Sequence, residues 1–224
     1  MTGLSFSLAA WKSWPAPAAQ AESGRALPLA LRRRVSAIGR RALEAAWQLE
    51  PDANARLVLS SRHGEYERTI SLLTQLTDER SVSPADFSLS VHSALAGLLS
   101  IATANHSGLS AVAAGRDSFG YGLLEAAACL ADDPATRVLL VHFDGPLPEV
   151  YSELGEAVES PLAAALSLSV GSPATPRIEI DMQPASADEP MTASLAGEFV
   201  RFLSTADREG RARGDRMSWR WRRQ

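Results

Sequence analysis

Cysteine is nearly absent: the 224 residues hold one, Cys129. A disulfide framework and a cysteine zinc cage are excluded at once. Histidine is scarce too. His63, His92, His106 and His142 are scattered, suggest no metal site, and nothing in the sequence calls for a cofactor. No apolar run approaches the ~18–20 residues that a helical bilayer crossing needs, so an integral helical membrane protein is excluded. The formal net charge of -4 excludes a generally basic surface of the kind that binds nucleic acid. Lysine is represented by Lys12 alone among 22 basic residues. What remains is an ordinary globular balance, with 46% hydrophobic and 21% charged residues.

The arginines are unevenly spread. Arg208, Arg211, Arg213, Arg216, Arg220, Arg222 and Arg223 crowd the C-terminus, together with Asp207, Glu209 and Asp215. This segment reads as a tail over residues 208–224, either a solvated end or a dock for an acidic partner. Trp219 and Trp221 alternate with arginines there, which hints at a short terminal strand. At the other end, the apolar stretch over residues 4–10 has no positive charge before it and is followed by Lys12 and Pro15. A secretory peptide wants the charge first, so this stretch reads as a strand. With one unpaired cysteine, the sequence predicts a cytoplasmic protein.

Between these ends, helical and strand periods alternate. Helices are expected over residues 29–49, 66–76, 91–104, 118–130 and 190–203. Ser83-Pro84 opens a further helical unit, with serine as cap and proline at the first position. Short apolar strands are expected over residues 55–61, 109–114, 136–143, 162–170 and 176–181, with a loop over 11–27 and a turn at 171–173. The order predicts one α/β domain over residues 1–207. Its near-continuous apolar strands predict a mainly parallel core sheet with an antiparallel edge, covered on both faces.

One segment carries more. Residues 84–126 read PADFSLSVHSALAGLLSIATANHSGLSAVAAGRDSFGYGLLEA: apolar helix, glycine turn, small-residue strand, sharp turn, small-residue helix. This order resembles the nucleophile region of β-ketoacyl synthases, which have a thiolase-like fold. In that family a strand leads through Thr-Ala-Cys-Ala-Ser-Gly into a helix, whose N-terminus favours the thiolate. Residues 60–65 (SSRHGE), 88–92 (SLSVH) and 143–148 (FDGPLP) extend the similarity to about residues 30–203. They resemble the ketosynthase-like N-terminal domain family, which includes chain-length-factor-like proteins of aryl polyene pigment clusters.

The resemblance implies a single thiolase-like half. With Ser118 on the motif's serine, Arg116 takes the place of the cysteine, and neither neighbour, Gly115 or Asp117, is a thiol. A guanidinium cannot be acylated, so the covalent step is closed to this chain. The family's two catalytic histidines lie in a second half, and none of the four histidines here matches them. The resemblance therefore implies a non-catalytic, chain-length-factor-like subunit of polyene or fatty-acid-type biosynthesis. It would pair with a full-length β-ketoacyl synthase and meet acyl carrier protein through the complex. Leu109, Ser110, Ala111, Val112 and Ala113 become the candidate strand pairing across the two-fold axis. Phe87, Leu95 and Leu98 become candidates to face the partner's acyl tunnel.

Two other readings stay open. Asp117-Ser118-Phe119-Gly120 after a strand resembles a hydrolase nucleophile elbow, although Arg116 stands where that motif needs glycine. A homodimeric scaffold could also bind carrier protein through the arginine tail.

Overall fold

The computed structural model describes residues 4–18, 25–154, 160–171 and 175–224. The expected loop over 11–27 and the turn at 171–173 lie partly outside these, and residues 11–14 of that loop instead continue the first strand. Chain order gives β1 (Leu4–Trp14), α1 (Leu29–Arg32), α2 (Ala37–Gln48), β2 (Arg56–Ser60), α3 (Tyr66–Glu79), α4 (Pro84–Ser90) and α5 (Ala94–Thr103). There follow β3 (Leu109–Val112), α6 (Ser118–Asp132), β4 (Arg137–Asp144), a short 3-10 helix (Glu149–Leu154), β5 (Leu162–Ser169) and β6 (Arg177–Pro184). The chain closes with α7 (Leu195–Ser204), β7 (Glu209–Arg213) and β8 (Met217–Arg223).

Serine caps set several helix starts. Ser36 Oγ accepts from Gly39 N at 3.1 Å, which starts α2 anew and breaks the single helix expected over 29–49. Ser83 Oγ accepts from Asp86 N at 3.3 Å, with Pro84 in the first turn, as Ser83-Pro84 implies. Ser194 Oγ accepts from Gly197 N at 3.1 Å and starts α7 five residues later than the expected residue 190. Residue 104 ends α5 in the left-handed region at φ 51°.

All eight strands join one sheet in the order β3-β2-β4-β5-β1-β6-β8-β7. Only β3-β2 and β2-β4 run parallel. The other five pairings are antiparallel, so the expectation of a mainly parallel sheet is corrected. The apolar runs reported burial of both sheet faces, and a central antiparallel strand satisfies that condition as well as a parallel one does. On one face, α6 and α7 pack Phe119, Leu123, Phe199 and Phe202 against Val58, Leu140, Leu166 and Ile178. On the other, α1, α2 and α5 pack Leu31, Leu43, Trp47, Leu95 and Leu99 against Leu57, Leu139 and Ala165.

The arginine-rich C-terminus is not a separate tail. Residues 209–213 and 217–223 are β7 and β8, and β8 lies between β6 and β7. Trp219 and Trp221 are 3% and 2% exposed and face α6 and α7, while Arg211, Arg220 and Arg222 alternate to the other side. The period-2 pattern, not the charge count, decided the structure.

Candidate functional site

The parallel strands β2, β3 and β4 end together, and their loops build the site. Past β3 the chain turns through residues 114–118. Gly115 has φ 61°, the left-handed conformation that glycine adopts without strain. Ser118 Oγ accepts from Ala114 N at 2.9 Å and donates to Gly115 O at 2.7 Å. Ser118 is 1% exposed, so its hydroxyl ties the turn together and presents nothing to solvent.

Asp117 is fully buried. Its Oδ1 accepts from Trp219 Nε1 at 2.8 Å, and its Oδ2 accepts from Arg216 N at 2.8 Å. Arg116 N donates to Asp215 Oδ2 at 3.0 Å, and the Arg116 guanidinium lies 3.7 Å from Asp215 Oδ1. The β7–β8 turn thus clamps the bend after β3. No local sequence signal announces this, because the partners are 99 to 102 residues apart.

Arg116 borders a small cavity of about 20 Å³, together with Arg62, Phe119, His142, Asp144 and residues 192–196. Beneath it lies a buried polar chain. Ser60 Oγ and His142 Nδ1 are hydrogen-bonded at 2.9 Å, and His142 Nε2 is 3.5 Å from Asp144 Oδ2. Asp144 Oδ1 accepts from Arg62 N at 2.7 Å, Ser61 Oγ at 3.1 Å and His63 N at 3.3 Å. Burial pushes the His142 pKa down, and the Asp144 charge only partly opposes this. The order serine, histidine, aspartate resembles a nucleophilic triad. Yet Ser60 is fully buried and His142 is 4% exposed, so the chain fixes the loop after β2 against β4 and offers no hydroxyl to a substrate.

A second cavity of about 290 Å³ opens beside α2, walled by Trp14, Ile38, His63, Glu65 and Tyr66 among others. Glu65 accepts from Ser36 N at 3.1 Å and Ser36 Oγ at 2.8 Å. Burial raises its pKa, and the bonds from Ser36 and the nearby Arg68 counter that only in part. Glu65 joins the start of α3 to the start of α2. Cys129 lies on α6, away from the bend, and burial pushes its thiol up. A raised thiol is the opposite of what a nucleophile needs. No grouping of three potential metal ligands exists among the described residues.

The other candidate residues separate into two sets. Leu109, Ser110, Ala111 and Val112 form β3 at one edge of the sheet, and Ala113 follows directly. The side chains of Leu109, Ala111 and Ala113 are exposed. Phe87 on α4 is 61% exposed, and Ile101 on α5 is 79% exposed. Leu95 and Leu98, by contrast, are 1% and 6% exposed and belong to this chain's own core. Expecting both to face a partner is corrected: their spacing on α5 puts them on the face that packs on β2 and α2.

A model of the β-ketoacyl synthase N-terminal domain matches residues 9–222. The chain belongs to that family. Its thiolase-like fold is that of a single ketosynthase half. A chain in the complex of the ketosynthase ApeO with its chain length factor ApeC, from Xenorhabdus doucetiae, is similar at 27% identity and TM-score 0.81. That match covers 98% of this chain and 100% of that one. A chain of AntDE:AntF, a type II polyketide acyl-carrier protein in complex with its ketosynthase, shares the fold at 14% identity and TM-score 0.60. It covers 71% of this chain and 56% of that one. The ishigamide ketosynthase/chain length factor does so at 16% identity and TM-score 0.58, over 79% of this chain and 56% of that one. No curated protein sequence matches the chain. Among the described residues no single helix is long and apolar enough to cross a membrane.

Proposed function

We propose that this family member is a non-catalytic, chain-length-factor-like subunit that pairs with an active β-ketoacyl synthase and shapes its acyl tunnel. The observation that carries the reading is the bend after β3. With Ser118 set on the family motif's serine, Arg116 takes the place of the cysteine; it is anchored by Asp215 and set against a cavity of about 20 Å³. A guanidinium cannot form the thioester, and a space with room for little more than a single water cannot admit an acyl chain.

The edge strand supports the pairing. Gly108 O, just before β3, and Val112 O, at its end, accept from Leu57 N and Ser61 N, so the even-numbered residues turn their backbone polar groups to β2. Those of Leu109, Ala111 and Ala113 turn outward, free to continue the sheet into a partner. Phe87, Val91 and Ile101 add exposed apolar surface on the neighbouring helical segment, which suits a hydrophobic interface. Phe87 remains the residue for the partner's tunnel wall. The likeness to a chain from a ketosynthase–chain length factor complex supports the same role. Acyl carrier protein would then be met through the assembled pair, and the products would be of polyene or fatty-acid type.

Co-expression with a full-length β-ketoacyl synthase, followed by size-exclusion chromatography, tests the pairing. A stable one-to-one complex is expected, with Phe87→Trp shortening the chain the pair produces. Separate elution of the two proteins would contradict the reading.

A further inference from the structure

The terminal hairpin carries an unexplained pair of charges. On the face of β6, β8 and β7 turned away from α7, residues stand in cross-strand rows. One row is Glu179, Arg222 and Glu209, alternating in sign. The next is Asp181, Arg220 and Arg211, in which two arginines stand directly opposite each other. Like charges in that position destabilise a sheet, with Cβ atoms only ~4.5–5.5 Å apart. The nearest acid does not relieve them: Asp181 Oδ2 is 2.6 Å from Arg222 Nη2. Among the described residues, neither Arg211 nor Arg220 makes a side-chain hydrogen bond or ion pair, and both are exposed.

The pair does not sit on a flat surface. It lines a cup of about 210 Å³ with Asp181, Gln183, Glu189 and Ser218. Glu189 closes one side and accepts from Ser218 Oγ, and its carbonyl accepts from Arg213 Nη1. Asp181 is therefore already paired with Arg222, while the Glu189 carboxylate, bonded only to a hydroxyl, keeps its charge; against it stand the two guanidiniums, which leaves the cup positive by one.

We propose that Arg211 and Arg220 form a binding site for a phosphate monoester. Two planar guanidinium forks on adjacent strands suit the several oxygens of one compact dianion, which would bridge them and turn their repulsion into attraction. A broad acidic protein surface fits poorly, because Glu179, Asp181 and Glu209 flank the pair and would repel it. The cup holds several waters at ~30 Å³ each, so there is room for the phosphoryl group and part of its substituent. This site is on the opposite edge of the sheet from β3 and is independent of the pairing proposed above.

Isothermal titration calorimetry with inorganic phosphate and with ethyl phosphate, at low ionic strength, tests the site. Saturable one-to-one binding is expected for both, the ester binding at least as tightly. Arg211→Gln and Arg220→Gln should each weaken binding at least tenfold, and Arg211→Lys several-fold. Arg137→Gln removes the same charge from β4 and should change nothing. In phosphate-free buffer Arg211→Gln should melt no lower than the parent, since a repulsion is removed. Non-saturable heats, equal weakening by Arg137→Gln, rejection of the ester, or retained binding in both glutamine variants would overturn the proposal.

Discussion

Asp117 is the residue on which the bend depends. It neutralises two donors, the Trp219 indole and the Arg216 amide, in a place without solvent. Asp117→Ala leaves both unsatisfied, and each buried orphan costs ~1–3 kcal/mol. A loss of about 3 kcal/mol in urea unfolding is expected, and a variant as stable as the parent would contradict the clamp. His142 gives a prediction in pH. Its folded pKa lies below the ordinary 6.5, so the folded protein keeps it neutral where the unfolded chain protonates it. The stability linked to it is full above pH 6.5 and is lost as pH falls from there toward the lower folded value. His142→Gln should show a shallower decline of stability below pH 6.5 than the parent, and an unchanged slope would contradict this. At this scale the sequence was legible where the signal was local. The strand, sharp turn and helix around residue 116 were readable, and His142 fits the reading of a satisfied core histidine. Asp215, Arg216 and Trp219 gave no sign of their role, because nothing within a hundred residues of spacing encodes a contact.

The terminal hairpin tests the account at the scale of elements. Trp219 and Trp221 cover Phe119, Phe199 and Phe202, and a Cβ added at Gly120 would lie 2.3 Å from the Trp219 ring. Gly120→Ala must push that ring aside, and overpacking of this kind costs ~1–3 kcal/mol. Deleting residues 208–224 removes two strands and both indoles. The truncated chain should lose its cooperative urea transition, whereas a solvated tail would come away without effect. The other edge gives a more selective test. Ala111→Pro removes an outward N–H of β3 and spares those bonded to β2, a position where proline is tolerated. The variant should fold as the parent does and bind the partner synthase at least tenfold more weakly. Equal binding would remove β3 from the interface. Caps and alternation made these elements readable: Ser83-Pro84 marked α4, and the tryptophan-arginine alternation marked β8. Ser36 was missed as a cap, so α1 and α2 read as one helix.

Across the whole molecule, strand direction was the feature least visible in the sequence. The runs in β4 and β5 record two covered faces, and both strands have them, yet they pair antiparallel. Direction is set by connections. The chain between β4 and β5 contains only a 3-10 helix in its described part, not the long helical crossover a parallel neighbour requires. The ketosynthase-half architecture was legible through the family resemblance that the motifs at residues 60–65, 84–126 and 143–148 carry in their order and spacing, and the family match over residues 9–222 adds part of β1 and the β7–β8 edge. The proposed role rests on one chemical point: a bend without sulfur cannot carry the acyl group, so on this proposal the chain assists a condensing enzyme and does not itself condense. The direct measurement supplies malonyl-carrier protein and an acyl starter to the purified chain, and then to the chain with a full-length β-ketoacyl synthase. No carbon dioxide release and no extended acyl product are predicted for the chain alone, with both appearing once the synthase is added. Extended product from the chain by itself would contradict the account.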